Sequence, residues 1–248
     1  MREAVRKAVE LDDSLSEAHT VQAAYLHVYE WNWSRAEREF QRAIDLDPNQ
    51  PTAHAWYGYL LENLGRFDEA ISERERGLEL DPLAPEVTLG GALRKAGRYQ
   101  DARRAFRDVI ARYPNNWPAH EGLGLVYELT GELDDAIREF ELAVTFAGPT
   151  QRPKAGLARV LALSGRTADA QRLIRELYAD AARTGIYHPV VAAAVLATGD
   201  QNGALEWLER SYGQRHPALV ELYVDGRFAS LRGDRRFDDL LRRVGFTP

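Results

Sequence analysis

Residues 48 to 82 read PNQPTAHAWYGYLLENLGRFDEAISERERGLELDP. Apolar side chains recur at helical spacing from Ala53 to Leu64, Gly65-Arg66 breaks the run, and Phe67 to Leu80 resumes it up to Asp81-Pro82. The same phrase returns with different words. Gly65-Arg66-Phe67-Asp68-Glu69-Ala70 becomes Gly97-Arg98-Tyr99-Gln100-Asp101-Ala102 and then Gly131-Glu132-Leu133-Asp134-Asp135-Ala136. Pro48 to Pro82, Gly97 to Gly131 and Ala102 to Ala136 are each 34 residues apart. A two-helix unit recurring at that period implies helix pairs stacked into an all-α solenoid, each pair packing only on its neighbours.

Each slot has a physical reason. Gly65, Gly97, Gly131, Gly165 and Gly199 follow the first helix of a unit, where the chain reverses through a left-handed residue. Ala70, Ala102, Ala136, Ala170 and Ala204 fall where two helices approach closely, and a larger side chain there overpacks the contact by roughly 1–3 kcal/mol. Pro48, Pro82 and Pro114 stop the second helix.

These slots resemble the tetratricopeptide repeat family. The unit ending at Pro82 supplies Gly58, Leu61, Gly65, Phe67, Ala70, Gly77 and Pro82, with Arg74 where a large apolar residue is expected. The unit before it supplies Ala23, Leu26, Ala36, Phe40, Ala43 and Pro48, with Trp31-Asn32-Trp33 and one extra residue in place of the glycine turn. Gly124, Tyr127, Gly131, Leu133, Ala136, Phe140 and Ala143 form a further copy, and weaker ones follow through Leu208. The resemblance implies a right-handed superhelix of antiparallel pairs: about six units over residues 14–215, preceded at 1–13 by the second helix of a truncated unit and closed at 216–248 by a C-terminal capping helix. Trp31-Asn32-Trp33, Ala204-Leu205-Glu206-Trp207-Leu208, and Asp225-Gly226-Arg227-Phe228 through Phe237 also resemble the C-terminal repeat regions of large bacterial signalling proteins. In those, the array follows a winged-helix, Ser/Thr kinase or nucleotide cyclase domain, which implies a regulatory or partner-sensing role.

Composition narrows the function. The chain has 248 residues, no cysteine, and 32 Lys+Arg against 38 Asp+Glu, a net charge of −6 that argues against a nucleic-acid face. No apolar stretch is long enough to cross a membrane and no signal peptide is legible, so the expectation is a cytoplasmic protein without membrane contact. Residues 2–11 carry Val5, Ala8, Val9 and Leu11 at helical spacing and run into Asp12-Asp13. A lone half-unit is an open solenoid end. The expectation is a chain cut from a longer one, with Met1 added or internal. The unit after Pro82 is short, and its first helix, Glu86 to Lys95, carries Gly90-Gly91, each costing roughly 1 kcal/mol against alanine. That helix is expected to be the least stable and a flexing point.

The search for chemistry returns no enzyme. His19, His54 and His120 occupy the same slot one or two units apart, with no second ligand one helical turn on, so they read as packing or hydrogen-bonding residues rather than metal ligands. Gly122-Leu123-Gly124 lies inside a helix with no preceding strand, and Asp134-Asp135 and Asp238-Asp239 lie in first turns, where carboxylates favour the helix dipole. No Ser/His/Asp, Gly-x-Ser-x-Gly or P-loop pattern is present, and no cofactor is implied. What remains is the concave face that the resemblance assigns to one side of the first helices, an uninterrupted inner surface with no enclosed cavity. Phasing from the prolines and Gly97 puts Thr20, His27, Tyr59, Glu62, Asn63, Arg94, Lys95, Glu128 and Arg159 there as a candidate peptide-binding groove. Ala55, Tyr59, Glu121 and Leu125 stand where the family's carboxylate clamp needs lysine and asparagine, so that clamp is absent. The expected function is a protein–protein interaction scaffold for a protein or peptide partner. The alternative is a self-associating module that stacks end to end, as a homodimer through its open N-terminal unit.

Overall fold

The structure is a computed structural model and describes Lys7, residues 12–82 and residues 87–246. The half-unit expected at 1–13 therefore lies almost wholly outside the described residues. Six antiparallel helix pairs follow: α1 (Ser16–Tyr25) with α2 (Trp33–Leu46), α3 (Pro51–Asn63) with α4 (Phe67–Leu80), α5 (Val87–Lys95) with α6 (Tyr99–Arg112), α7 (Trp117–Thr130) with α8 (Leu133–Ala147), α9 (Gln151–Leu163) with α10 (Thr167–Thr184), and α11 (Val190–Ala197) with α12 (Gln201–Gly213). Each pair packs on the next in line, as a right-handed solenoid requires. No strand occurs among the described residues, and no described helix is long and apolar enough to cross a membrane.

The repeat slots do what their residue types allow. The turn glycines are left-handed, Gly65 at φ 76° and Gly131 at φ 81° among them. Ala70, Ala102, Ala136, Ala170 and Ala204 are completely buried. Between units, one aromatic ring locks two first helices together. Phe106 on α6 lies against Gly90 of its own α5 and Gly122 of the following α7; one period later Phe140 lies against Gly124 and Gly156. A methyl group on Gly90 would meet the Phe106 ring at 2.7 Å. Gly90 is thus a packing hole rather than a weak point, whereas Gly91 has nothing within 4 Å of where its Cβ would be. The two adjacent glycines have opposite surroundings.

The first turn departs from the others. The extra residue is absorbed by a π-helical turn, Leu26–Glu30, a common home for a single insertion. Trp31 then takes the left-handed conformation, φ 55°, that glycine takes elsewhere. The strain, roughly 1 kcal/mol, is offset by what the indole reaches: it stacks on Tyr212 at 5.5 Å, and the Arg215 guanidinium lies 4.7 Å above it.

Those partners belong to the other end of the chain. After α12 come two 3-10 turns, Pro217–Glu221 and Gly226–Leu231, and then α13 (Arg235–Arg243), N-capped by Asp234, whose carboxylate accepts from Arg236 N–H at 2.8 Å. Leu219, Leu222, Phe228, Phe237 and Leu241 are buried and cover the last pair. The segment also travels back to the first pair. Trp33 Nε1 donates to the Val244 carbonyl at 3.2 Å, Phe246 packs 4.7 Å from the Trp33 ring, and Arg215 donates to the Tyr29 carbonyl at 2.8 Å. The expectation of one uninterrupted inner surface is corrected: residues 217–231 cross the concave face and close the array on itself.

Candidate functional site

Of the nine residues that phasing assigns to the concave face, Tyr59, Glu62, Arg94 and Lys95 line one cavity, and most of the nine are held by one another. Glu62, buried, is gripped by Lys95 at 2.9 Å and by Arg74 at 2.8 Å. Arg74 stands where a large apolar residue is usual, and this ion pair is the reason an arginine is tolerated. Glu128 pairs with Arg159 at 2.8 Å, and Arg159 also donates to the Ala193 carbonyl at 3.2 Å. Glu121 pairs with Arg152 at 2.8 Å. The Glu62–Lys95, Glu121–Arg152 and Glu128–Arg159 pairs each join a first helix to the first helix of the next unit, forming a ladder along the inner face, while Arg74 reaches Glu62 from the second helix of the same unit. Paired and mostly buried charges are satisfied by each other, and removing one partner leaves the other uncompensated.

Three further candidates are consumed by packing. Thr20 Oγ1 donates to Ser16 O and Gln50 Oε1, both at 2.9 Å. His27 is fully enclosed, 5.2 Å from both the Trp33 and Tyr59 rings, with its Nε2 bonded to Asn63 at 3.1 Å. Burial, reinforced by the nearby Lys95 cation, lowers the His27 pKa to about 3. The histidines at the repeated slot are structural, as their spacing implies: His19, His54 and His120 each bridge a second-helix glutamate (Glu39, Glu73, Glu139) and a carbonyl before the first helix (Asp13, Pro48, Pro114). Among the described residues no cluster of three or more His, Asp or Glu could hold a metal ion.

Tyr59 and Arg94 have a different fate. The Tyr59 hydroxyl donates to Glu221 Oε1 at 2.9 Å, across 162 positions of sequence. Burial opposes ionisation of Glu221, yet Lys95, Arg152 and the Tyr59 hydrogen bond together bring its carboxyl down to about 2. Asp225 and Arg227 from the same segment pair through two parallel bonds at 2.9 and 2.6 Å, a fork geometry that makes such pairs strong. Arg94, by contrast, has no hydrogen bond or ion pair among the described residues. Burial and the like charge of Arg227 lower its pKa.

These side chains surround an open cavity of about 450 Å³ between α3, α5 and α7, with Trp56, Tyr59, Val87, Gly91, Phe106 and Leu125 on its walls and Glu221 at its base. An inner recess of about 60 Å³ continues from Arg94, Glu121 and Arg152 to His188, Asp225 and Arg227. Trp56 is 38% exposed at the rim. Phasing does not reach Trp56, Glu221, Asp225 or Arg227. The available signal was an acid, Glu221, inside the apolar run Leu219-Val220-Glu221-Leu222, since an acid buried in such a run needs a partner from elsewhere.

With the geometry in view, comparison with known proteins is informative. The Tetratricopeptide repeat family model matches residues 21–85 and 87–152, and a second model of the same description matches 151–176. The chain is 29% identical over 94 residues to the small glutamine-rich tetratricopeptide repeat-containing protein 2 of Mycosarcoma maydis, over 37% of this chain and 27% of that protein. In fold it is similar to the crystal structure of the APC/C hetero-tetramer Cut9-Hcn1, with a TM-score of 0.67 at 16% identity over 99% of this chain and 45% of that one. It is also similar to the type IV pilus biogenesis factor PilW, with a TM-score of 0.63 at 20% identity over 78% of this chain and 89% of that one.

Proposed function

The chain belongs to the tetratricopeptide repeat family, and we propose that it is a non-catalytic scaffold that engages a protein partner at the mouth of its concave face, as the regulatory region of a larger bacterial cytoplasmic signalling protein. The observation that carries this is the segment 217–231: the inner face already holds a polypeptide of short 3-10 turns, through Tyr59–Glu221 and the apolar contacts around it. A face built to hold one such segment offers the same chemistry to another where it stays open. The open part is the rim at Trp56 and Thr88, with Tyr59 and Lys95 beneath it. Half-exposed aromatics with cations beside them are the usual anchors of an interface.

The signalling role draws support from the three motifs that resemble bacterial repeat regions. They are far apart in sequence, and the first of them, through Trp31 and Trp33, lies against Tyr212, Val244 and Phe246, residues that follow the other two along the chain. Function attached to closing the ring would keep such motifs together.

A random-peptide display library panned against the full chain, with recovered peptides titrated against wild type and Trp56→Ser, tests the proposal. Peptides should bind wild type and lose at least about tenfold on Trp56→Ser, since truncating an aromatic anchor typically costs above 1 kcal/mol. No enrichment over beads, or peptides indifferent to Trp56, would contradict it.

A further inference from the structure

The cavity between α3, α5 and α7 has a chemistry of its own. Its volume, about 450 Å³, lies in the range that holds a small molecule. Residues 217–231 close its base, because Glu221 is bonded to Tyr59 there, so an extended polypeptide cannot thread through. One wall is apolar and aromatic: Trp56, Val87, Phe106 and Leu125. Around the cavity and its recess five cations (Arg74, Arg94, Lys95, Arg152, Arg227) stand against four carboxylates (Glu62, Glu121, Glu221, Asp225). Every carboxylate among them accepts at least one hydrogen bond, although Glu121 Oε2 is buried without one. The cation left over is Arg94, which lines both spaces and has no hydrogen bond or ion pair among the described residues.

A half-buried guanidinium with no hydrogen-bonded counter-ion has its fork free for a new partner. Burial and the like charge of Arg227 lower the Arg94 pKa, and the more distant carboxylates of Asp225, Glu221 and Glu62 offset this only in part. A single surplus charge matches a monoanion rather than a phosphate dianion. The planar fork of arginine matches a carboxylate, and the apolar wall requires a hydrocarbon body on it.

We propose that this cavity binds a small organic monocarboxylate, with its carboxylate on Arg94 and its apolar body against Trp56, Val87 and Phe106. The site adjoins the rim proposed for a polypeptide partner and shares Trp56 with it, whereas Arg94 and Gly91 belong to the small-molecule site. Gly91 provides the opening: its missing side chain faces free space at the cavity wall.

Isothermal titration of the full chain with phenylacetate and octanoate tests it, with their primary amides and acetate as controls. Either acid should bind at least about tenfold more tightly than its amide, as for a charge-assisted bond, and acetate should bind far more weakly than both acids. Gly91→Leu, whose side chain would fill the cavity, should abolish binding. Arg94→Met should make acid and amide bind alike, while the melting midpoint of the ligand-free protein does not fall. The proposal is overturned by absence of acid binding at millimolar concentrations, by amides or acetate binding as well as the acids, or by binding that survives Gly91→Leu. A fall in the ligand-free midpoint of Arg94→Met also overturns it, by making Arg94 structural.

Discussion

The six helix pairs and the segment after α12 are stabilised in different ways. Within the pairs, polar links join residues about one unit apart, such as Glu62 to Lys95 or Glu128 to Arg159. The segment after α12 makes links across most of the chain, Tyr59 to Glu221 and Trp33 to Val244. The pairs bury regular apolar slots around Phe40, Phe106 and Phe140; the returning segment brings half-buried charges, Glu221, Asp225 and Arg227, to the inside of the ring. Local repetition thus builds the wall, while a few long-range polar contacts decide whether the inside is an open groove or a pocket. Such non-local contacts form late and hold weakly compared with a repeated core.

The sharpest way to separate the two regions is to damage each. Phe140→Ala empties the hole between Gly124 and Gly156 and should cost about 3–5 kcal/mol in chemical denaturation, whereas Trp33→Phe, which removes the hydrogen bond to Val244 and trims the ring that packs on Phe246, should cost about 1–2 kcal/mol. Equal losses would erase the distinction.

Acid acts on the closing region next. Burial, Lys95 beside one and His216 beside the other, lowers the pKa values of His27 and His188 from 6.5 to about 3. Both are neutral in the folded chain, so their contribution is intact above 6.5 and is lost as pH falls from there toward 3. At about pH 5 the loss should be on the order of 2 kcal/mol for each, visible as a lower denaturation midpoint than at neutral pH. Glu221, whose carboxyl is brought to about 2, adds to the loss only below its ordinary value of 4.5. An unchanged midpoint down to pH 5 would contradict the burial of these two rings. Replacing His27 and His188 should flatten the dependence.

Smaller and opposite effects are expected from the adjacent glycines of α5. Gly90→Ala drives a methyl into Phe106 and should destabilise by about 1–3 kcal/mol. Gly91→Ala meets nothing and should stabilise by roughly 1 kcal/mol through helix propensity. Thermal melts that move in the same direction for both would refute the packing described for this unit.

This pair of glycines also marks what the sequence alone could convey. The period, the turn glycines and the small alanines were legible because each is a local rule repeated in register. The concave candidates were legible as positions, but their partners were not: that Glu62 would spend itself on Arg74 and Lys95 depends on the spacing of neighbouring units. Gly90 and Gly91 look alike in a propensity scale and differ only through where Phe106 points. The return of the last thirty or so residues was the least legible. It rests on single pairings, such as Trp31 on Tyr212, that follow no period. Trp31 in a glycine's conformation was the visible sign that something distant held it.

Closure of the ring by residues 217–231 is the claim on which the pocket and the proposed interactions depend. A double-mutant cycle between Tyr59→Phe and Glu221→Gln, read by denaturant unfolding of the full chain, tests it most directly. Two side chains bonded at 2.9 Å should show a coupling of about 1 kcal/mol or more. Strictly additive losses would mean that the C-terminal segment does not lie across the concave face.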